Sequence, residues 1–234
     1  MSNDIVLAVE TSTKACSVSL KYNGIFYTEF EIAPQQHANK MLKMVQAVLN
    51  KAKLKGQDIT VLALCEGPGA FTGVRIAAGV IQGLAYGWNC PVVSVSSLEA
   101  LAWEVLKDNP NHTVIACLDA RMQEIYLQEC SCNKGNLVSN PPLILAEQAA
   151  LKITNSIENA IGTGDIEQEF PNIVASFVQW NPAFPSAEAV AEIASQRIGE
   201  AKLVLNELPL PLYLRNNVAE KSKKIIAKVK NEKS

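Results

Sequence analysis

Two stretches of this chain repeat the same order of strand and turn signals, and the repeat limits the folds that the chain can adopt. A continuous apolar run at 5–9 ends in the acid Glu10, and a second run at 114–118 ends in Asp119. A small polar turn, an alternating strand, another turn and a third strand follow each acid. Continuous apolar runs are typical of strands buried on both faces, and alternating runs of half-buried strands. The order therefore predicts an internal duplication.

The turns and helices between these strands complete the pattern. Asn23-Gly24 and residues 133–136 are turn signals, and the third strands cover 25–32 and 137–145, the latter weakened by Pro141-Pro142. A further buried strand covers 60–65. Helical signals cover four segments, with Ser96 or Ser97 as a cap for the third and Gly199 at the end of the fourth: 36–52, 72–88, 97–107 and 186–199.

Strands followed by helix–strand alternation, twice over, predict an α/β protein with mixed sheets. The duplicated unit resembles the actin, sugar-kinase and Hsp70 architecture, an actin-like ATPase (ASKHA, RNase H-like) fold with two lobes flanked by helices. We expect an N-terminal lobe at 1–107 and a C-terminal lobe at 108–234, whose last segment packs back on the first lobe. This architecture normally holds ATP between its lobes.

Composition narrows the class of protein. The chain has 234 residues, 48% of them hydrophobic, and a net charge of −2, without the basic surplus of a protein that holds nucleic acid alone. Its N-terminus has no signal-peptide pattern and no apolar run reaches the length of a membrane span, so we expect a cytoplasmic protein without membrane contact. None of the six cysteines forms a Cys-x-x-Cys pair, which favours buried free thiols over metal or disulfide.

Candidate nucleotide-binding residues lie in three turns. Hydroxyl and N–H groups of Glu10, Thr11 and Ser12 could wrap a phosphate opposite Asp119, although an ordinary polar turn has the same composition. Gly162-Thr163-Gly164-Asp165 resembles an adenosine-side turn, so Gly162 and Gly164 complete a vestigial nucleotide cleft. Because no lysine-bearing phosphate loop is present, we expect no resident cofactor. Any binding of ATP or ADP should be weak and need the complex.

Residues 66–75, which read Glu-Gly-Pro-Gly-Ala-Phe-Thr-Gly-Val-Arg, form the most specific segment. They follow a buried strand and open a helix, where glycines allow the backbone to come close to a ligand or partner. The segment lacks the Gly-Lys-Ser/Thr of a Walker loop and the Gly-x-Gly-x-x-Gly fingerprint. A plain strand-to-helix turn is the alternative interpretation.

With these motifs the chain resembles the TsaB (YeaZ-like) family. The resemblance rests on 9–12, on the Gly-Pro-Gly-Ala-Phe-Thr-Gly-Val-Arg-Ile run at 67–76, and on 93–98, 118–126 and 211–217. It implies an accessory subunit in the formation of threonylcarbamoyladenosine beside the tRNA anticodon. The implied partners are the catalytic paralogue TsaD, the ATPase TsaE, and a second copy in isolation, with tRNA reached only through the complex. Family members mostly carry Asp where Glu10 stands, and the longer side chain argues against metal–phosphate coordination here.

The first long helix argues against a catalytic role. The paralogue binds metal through His-x-x-x-His, which puts two imidazoles on one helical face, whereas this chain has His37 and Met41 at that spacing. A thioether is a poor ligand for hard or borderline ions, so we expect no metal site and no catalytic residue. Two alternatives stay open at this point: a sugar-kinase-type enzyme with Asp119 as its base, and a metallopeptidase.

A glycine face on the second long helix is the main candidate for partner binding. Gly79, Gly83 and Gly87 lie one turn apart, which suggests a close backbone approach to a partner or to the protein's own sheet. In relatives this helix and the 36–52 helix form a four-helix contact with TsaD or a second copy. Residues assigned to this surface share these helices or their start: Met41, Val45, Gly69, Arg75, Gly79, Gly83 and Gly87.

Residues 215–234 carry seven basic side chains against two acidic ones, a net charge of +5. Such a tail could touch tRNA phosphates, but a solvated terminus is the commoner meaning of such a run.

Overall fold

The computed structural model describes residues 4–215, and the basic tail beyond Arg215 lies outside them. The first lobe is a five-stranded sheet in the order β3-β2-β1-β4-β5 with three helices. Its elements are β1 (Val6–Glu10), β2 (Ala15–Tyr22), β3 (Ile25–Ile32), α1 (His37–Ala52), β4 (Val61–Gly67), α2 (Phe71–Trp88), β5 (Val92–Ser96) and α3 (Ser97–Leu106).

The second lobe repeats that topology. Its elements are β6 (Val114–Arg121), β7 (Glu124–Asn133), β8 (Asn136–Ser139), β9 (Leu143–Ala146), α4 (Glu147–Thr154), β10 (Ile161–Gly164), α5 (Pro171–Val174), β11 (Gln179–Pro182) and α6 (Ala187–Gln196). The strand order β8-β7-β6-β10-β11 matches that of the first sheet position by position. The predicted duplication and the actin-like α/β fold are therefore confirmed.

Apolar alternation within each central strand explains the layering. In β1, Val6 and Ala8 face a core shared with the second sheet, while Leu7 and Val9 face the core under α1 and α2. In β6, Ile115 and Cys117 face α4 and α5. Helices α3 and α6 fill the shared core between the sheets, so the layers run helices, sheet, helices, sheet, helices. A strand covered on both faces needs apolar residues at every position, as the sequence has.

The shared core exchanges helices across the boundary at residue 107. Helix α3, from the first lobe, packs on β6 and β7, and α6, from the second, packs on β1 and β2. After α6 the chain returns to the first sheet, where Lys202 and Val92 exchange backbone hydrogen bonds. Each lobe thus covers part of its sheet with a helix from the other half of the chain.

Two details of the second half correct the predictions. The strand expected over 137–145 is two strands, β8 and β9, and both pair with β7. Pro141 and Pro142 separate them because proline has no N–H to give to a ladder. The last helix ends at Gln196 rather than Gly199, which lies in a short 3₁₀ turn, while Ser186 caps its start by accepting from the Ala189 N–H at 3.1 Å.

Local signals elsewhere act as predicted. Asn23 and Gly24 both have positive φ in the turn between β2 and β3. The hydroxyl of Ser96 accepts from the Leu98 N–H, and Glu99 completes a capping box at the start of α3. Five of the six thiols are buried, and burial raises the pKa of Cys16 and of Cys90 to about 11. No helix within residues 4–215 is long and apolar enough to cross a bilayer.

The glycine-rich junction between β4 and α2 packs directly on the turn after β1. A Cβ at Gly73 would clash with the Thr11 carbonyl, and one at Gly69 with the Ser12 carbonyl. The Ala70 N–H donates to the Ser12 carbonyl at 2.6 Å, and the Thr11 hydroxyl donates to the Gly73 carbonyl at 2.8 Å. Gly69 therefore makes a close approach inside the chain, which explains the glycine there, while its assignment to the partner surface stays a prediction.

Gly73→Ala should lower the free energy of unfolding by about 1–3 kcal/mol, the usual cost of overpacking, because the added methyl meets the Thr11 backbone. Gly79→Ala is the matched control on the same helix. A Cβ there meets nothing, so the variant should gain up to about 1 kcal/mol from helix propensity. Urea unfolding of both variants measures the difference, and equal stabilities would contradict the packing described here.

Candidate functional site

A cleft of about 1570 Å³ lies between the two lobes. The turn after β1 and the start of α2 line it from the first lobe, and the turn after β6 and the end of β10 line it from the second. Duplication explains this arrangement, because β1 and β6 hold equivalent central positions in their sheets and each ends in a polar turn. The carboxyl ends of central strands are where ligands of open α/β sheets bind.

The first turn contributes less to the cleft than its sequence predicted. Glu10 and Thr11 are completely buried and do not line the cleft, whereas Ser12 does. Glu10 Oε1 accepts from the Ser12 N–H at 2.5 Å, while Glu10 Oε2 and Ser12 Oγ have no hydrogen-bond partner among residues 4–215. Burial raises the pKa of Glu10 to about 7. The assignment of Glu10 and Thr11 to ligand binding was wrong because both side chains turn inward to hold the turn.

The second-lobe wall places two carboxylates side by side. Asp119 lines the cleft, but Arg121 engages both of its oxygens, through its N–H at 2.7 Å and its guanidinium at 2.8 Å. Asp165 Oδ1 accepts from the Asp119 N–H at 3.3 Å, and burial, with the nearby Asp119 charge, raises the Asp165 pKa. Sequence reasoning did not assign Asp165 to the site, although the turn that carries it had been recognised.

The glycines of that turn differ in role. Gly164 lines the cleft with φ of +144°, and a Cβ there would strike the Cys117 backbone. Gly162 lies on the interior of β10, where a Cβ would meet the rings of Phe177 and Trp180. Gly162 therefore serves packing rather than a ligand, which corrects its assignment to the cleft.

Three consecutive left-handed residues join β6 to β7. Arg121, Met122 and Gln123 have φ of 64°, 56° and 62°. For side-chain-bearing residues this conformation costs of order 1–3 kcal/mol each, and it persists where surrounding contacts hold it. Met122 is 60% exposed, so burial of its side chain does not supply those contacts.

Residues 207–215, which we call the strap, provide the contacts that hold these three left-handed residues. Arg215 donates to the carbonyls of Ala120 and Arg121 at 3.2 and 3.3 Å, and pairs with Glu124. Further up the strap, the Leu212 N–H donates to the Glu66 carbonyl at 2.8 Å. The strap was not identified as part of the site, because a short run of Leu and Pro has no helical or strand period.

Arg75 holds the strap to α2. Its Nε donates to the Tyr213 hydroxyl at 2.8 Å, and its guanidinium carbon lies 3.4 Å from the centre of the Phe71 ring and 5.5 Å from that of Tyr213. Such stacking is favourable for a guanidinium. The Arg75 side chain, predicted to contact a partner, thus engages the chain's own C-terminal segment.

The glycine face of α2 points away from the protein. Gly79, Gly83 and Gly87 are exposed, and a Cβ at any of them would meet no atom of the described part of the chain within 4 Å. Packing on the chain's own sheet, the alternative left open by the sequence, is therefore wrong. Tyr86, on the same side of the helix, is 73% exposed.

Helix α1 presents different residues from those predicted. Met41 is 0% and Val45 4% exposed, because both belong to the apolar stripe that packs on the first sheet. Their assignment to a partner surface is corrected accordingly. Leu42, one residue along, is 57% exposed and lies on the outer side.

The first histidine is occupied within the fold. His37 is buried and its Nε2 lies 3.0 Å from the Ala15 carbonyl. Within residues 4–215 no group of three or more His, Cys, Asp or Glu side chains is placed to hold a metal ion.

Comparison with known proteins gives one consistent family. The family model described as TsaD, tRNA N6-adenosine threonylcarbamoyltransferase, matches residues 21–171. The tRNA threonylcarbamoyladenosine biosynthesis protein TsaB of Escherichia coli K12 is 35% identical over 229 residues, 92% of this chain and 96% of that protein. TsaB of Haemophilus influenzae is 33% identical over 94% of this chain and 98% of its own length.

Solved structures agree with this. YeaZ from Pseudomonas aeruginosa superposes with a TM-score of 0.78 at 31% identity, covering 90% of this chain and all of that one. A second Pseudomonas aeruginosa structure, described as similar to peptidase YeaZ, has a TM-score of 0.80 at 32% identity over 91% of this chain.

Glu10 should make stability depend on pH. Its pKa is about 7 in the fold against 4.5 when unperturbed, so between pH 4.5 and 7 the unfolded chain releases a proton that the folded chain keeps. The free energy of unfolding should therefore fall through that window, by about 3 kcal/mol from this group, and level off above it. Glu10→Gln should lose that part of the slope in urea unfolding at a series of pH values. Exposed Glu158→Gln should follow the wild type, and identical slopes for all three proteins would refute the assignment.

Proposed function

The chain belongs to the TsaB family of tRNA threonylcarbamoyladenosine biosynthesis proteins, and we propose that it acts there as a non-catalytic subunit that binds a TsaD paralogue. The glycine face of α2 carries this proposal. In a helix each glycine costs roughly 1 kcal/mol relative to alanine. Within residues 4–215 these three glycines gain no packing in return, because no atom of that part of the chain lies over them. Close packing of a partner's backbone against this face would offset the cost of the three glycines.

The match to the TsaD family model indicates which partner suits this face. It covers residues 21–171, which include both α1 and α2. A TsaD paralogue is therefore expected to carry a related helix pair, and two such pairs can pack as four helices with the glycine face at the contact. A second copy of this chain has the same pair, so the homodimer and the heterodimer compete for one surface. TsaE and tRNA join through the complex.

The two enzyme alternatives have weak support in the site. A peptidase of the metal type would use His37, whose Nε2 is taken by the Ala15 carbonyl, and Met41, which is buried. A sugar-kinase-type enzyme would use Asp119 as base, but Arg121 already occupies both of its oxygens. An accessory role fits these occupied side chains better.

Gly83→Leu should abolish the homodimer and weaken TsaD binding together, because both use the same surface. Overpacking a close helix contact costs about 1–3 kcal/mol, which corresponds to roughly 5- to 150-fold in Kd. The melting temperature should not fall, since a Cβ at Gly83 meets open space and leucine favours a helix. Light scattering and titration with purified TsaD measure the two associations.

Gly199→Leu is the matched control, because Gly199 also faces open space but lies outside α2. It should dimerise and bind TsaD as the wild type does. A Gly83→Leu protein that still pairs with TsaD at wild-type affinity would remove the basis of the proposal.

The isolated chain should form no threonylcarbamoyladenosine, keep no stoichiometric zinc or iron after dialysis, and bind ATP weakly. The engaged Asp119 and the inward Glu10 leave few free groups for a metal–nucleotide pair. Product analysis, elemental analysis and calorimetric titration with ATP check these outcomes. One tightly bound metal per chain, or turnover without TsaD, would favour an enzyme instead.

A further inference from the structure

The strap runs along the first lobe beside the glycine face. Gln82, one residue before Gly83, donates from Nε2 to the Pro209 carbonyl at 2.7 Å. The Leu212 N–H then bonds to the Glu66 carbonyl, and Tyr213 stacks with Arg75, one turn before Gly79. Three contacts along nine residues therefore fasten the strap to α2 and to the strand before it.

The far end of the strap belongs to the second lobe. Arg215 forms hydrogen bonds with two carbonyls of the β6–β7 turn, lies 2.9 Å from the Met122 sulphur, and pairs with Glu124. Asp119 lies near the end of β6, and the three left-handed residues that follow it lead through that turn into β7. Residues 212–215 line the cleft, and Leu212 also lines a polar cavity of about 320 Å³ on its other side. The strap thus connects the lobes on the cleft side, whereas α3 and α6 connect them through the shared core.

We propose that the strap sets the opening of the interlobe cleft and transmits partner docking on α2 to the β6–β7 turn. The first part concerns the isolated chain alone. The second part rests on the proposed function, because it takes the glycine face to be the docking surface. Side chains of α2 hold one end of the strap and the turn holds the other, so a displacement of α2 by a partner pulls on Asp119 through Arg75, Tyr213 and Arg215.

The contacts explain why Arg215 is the sensitive point. The guanidinium places Nη2 against two carbonyls and the Glu124 carboxylate and Nη1 against the Met122 sulphur, and the single nitrogen of a lysine cannot contact both places at once. Loss of Arg215 frees the strap from the second lobe and leaves its first-lobe contacts intact. The left-handed turn then loses the contacts that hold it, so both the cleft and the turn should sample more conformations.

Distances between spin labels across the cleft test the first part. Gln36→Cys, between two cleft-lining residues of the first lobe, and Gln168→Cys, in the cleft wall of the second, are exposed positions. Cys132→Ser removes the half-buried native thiol, and the other five are buried. Dilution of the labelled chain with unlabelled protein keeps two labelled copies from pairing, and under these conditions the wild type should give one narrow distance distribution. Arg215→Ala should broaden it and shift it to longer distances, and Arg215→Lys should lie between them.

Lys51→Ala is the charge-matched control, because Lys51 pairs with Glu29 inside the first lobe. It should give the wild-type distribution. Melting curves establish whether each variant is folded. If Arg215→Ala does not fold, Arg215→Lys serves as the test variant. An unchanged distribution in a folded Arg215 variant would overturn the proposal.

Saturating TsaD tests the second part. Bound TsaD should change the mean distance in the wild type but not in Arg215→Ala, which should still bind because its glycine face is intact. If the mean distance in the wild type stays the same when TsaD is bound, the coupling is overturned and the proposed function still stands. Failure of the wild type to bind TsaD overturns the proposed function instead, while the distances in the isolated chain still decide whether the strap sets the opening.

Discussion

The shared apolar core between the two sheets is the constraint on which the rest of the structure depends. It is filled by α3 and α6, each of which crosses to the sheet of the other lobe. Because β1 and β6 must each face this core and an outer helical layer, their sequences are continuously apolar over 6–9 and 114–118, before the polar residues at their ends. Their ends then meet across one cleft, so the two polar turns face each other as a result of packing rather than of ligand chemistry.

The burial of the strands and the periodicity of apolar residues could be predicted from the sequence, whereas contacts between distant parts of the backbone could not. The duplicated strands, the Asn23-Gly24 turn and the Ser96 cap follow from local patterns, which act over a few residues. Gly69 and Gly83 look alike in a one-dimensional pattern, yet the first presses on the Ser12 carbonyl and the second faces open space. That difference depends on where β1 ends, sixty residues away.

The cleft shows the same limit. The sequence predicts the two acid-bearing turns, but it does not show that the Glu10 side chain points inward. A glutamate fits the same sequence pattern whether its carboxyl is buried or exposed. Arg75 and Arg215 were assigned to a partner and to a tail, because nothing in the sequence pairs Arg75 with the strap or Arg215 with the second lobe. Their partners, Tyr213 and Glu124, lie 138 and 91 positions away along the chain. Such pairs are visible only once the fold has closed.

The glycine face also affects what becomes of a copy without a partner. Helix α2 has four glycines among its eighteen residues and no side-chain cap at its start, so it is held in place mainly by its inner face and by its contacts with the strap. Its outer backbone is open to water, and local opening costs less there than in a partnered helix. Proteases act on such openings. On the proposed function, we expect a copy without its partner to be degraded faster than a paired copy, so that the amount of the subunit would follow the amount of its partner.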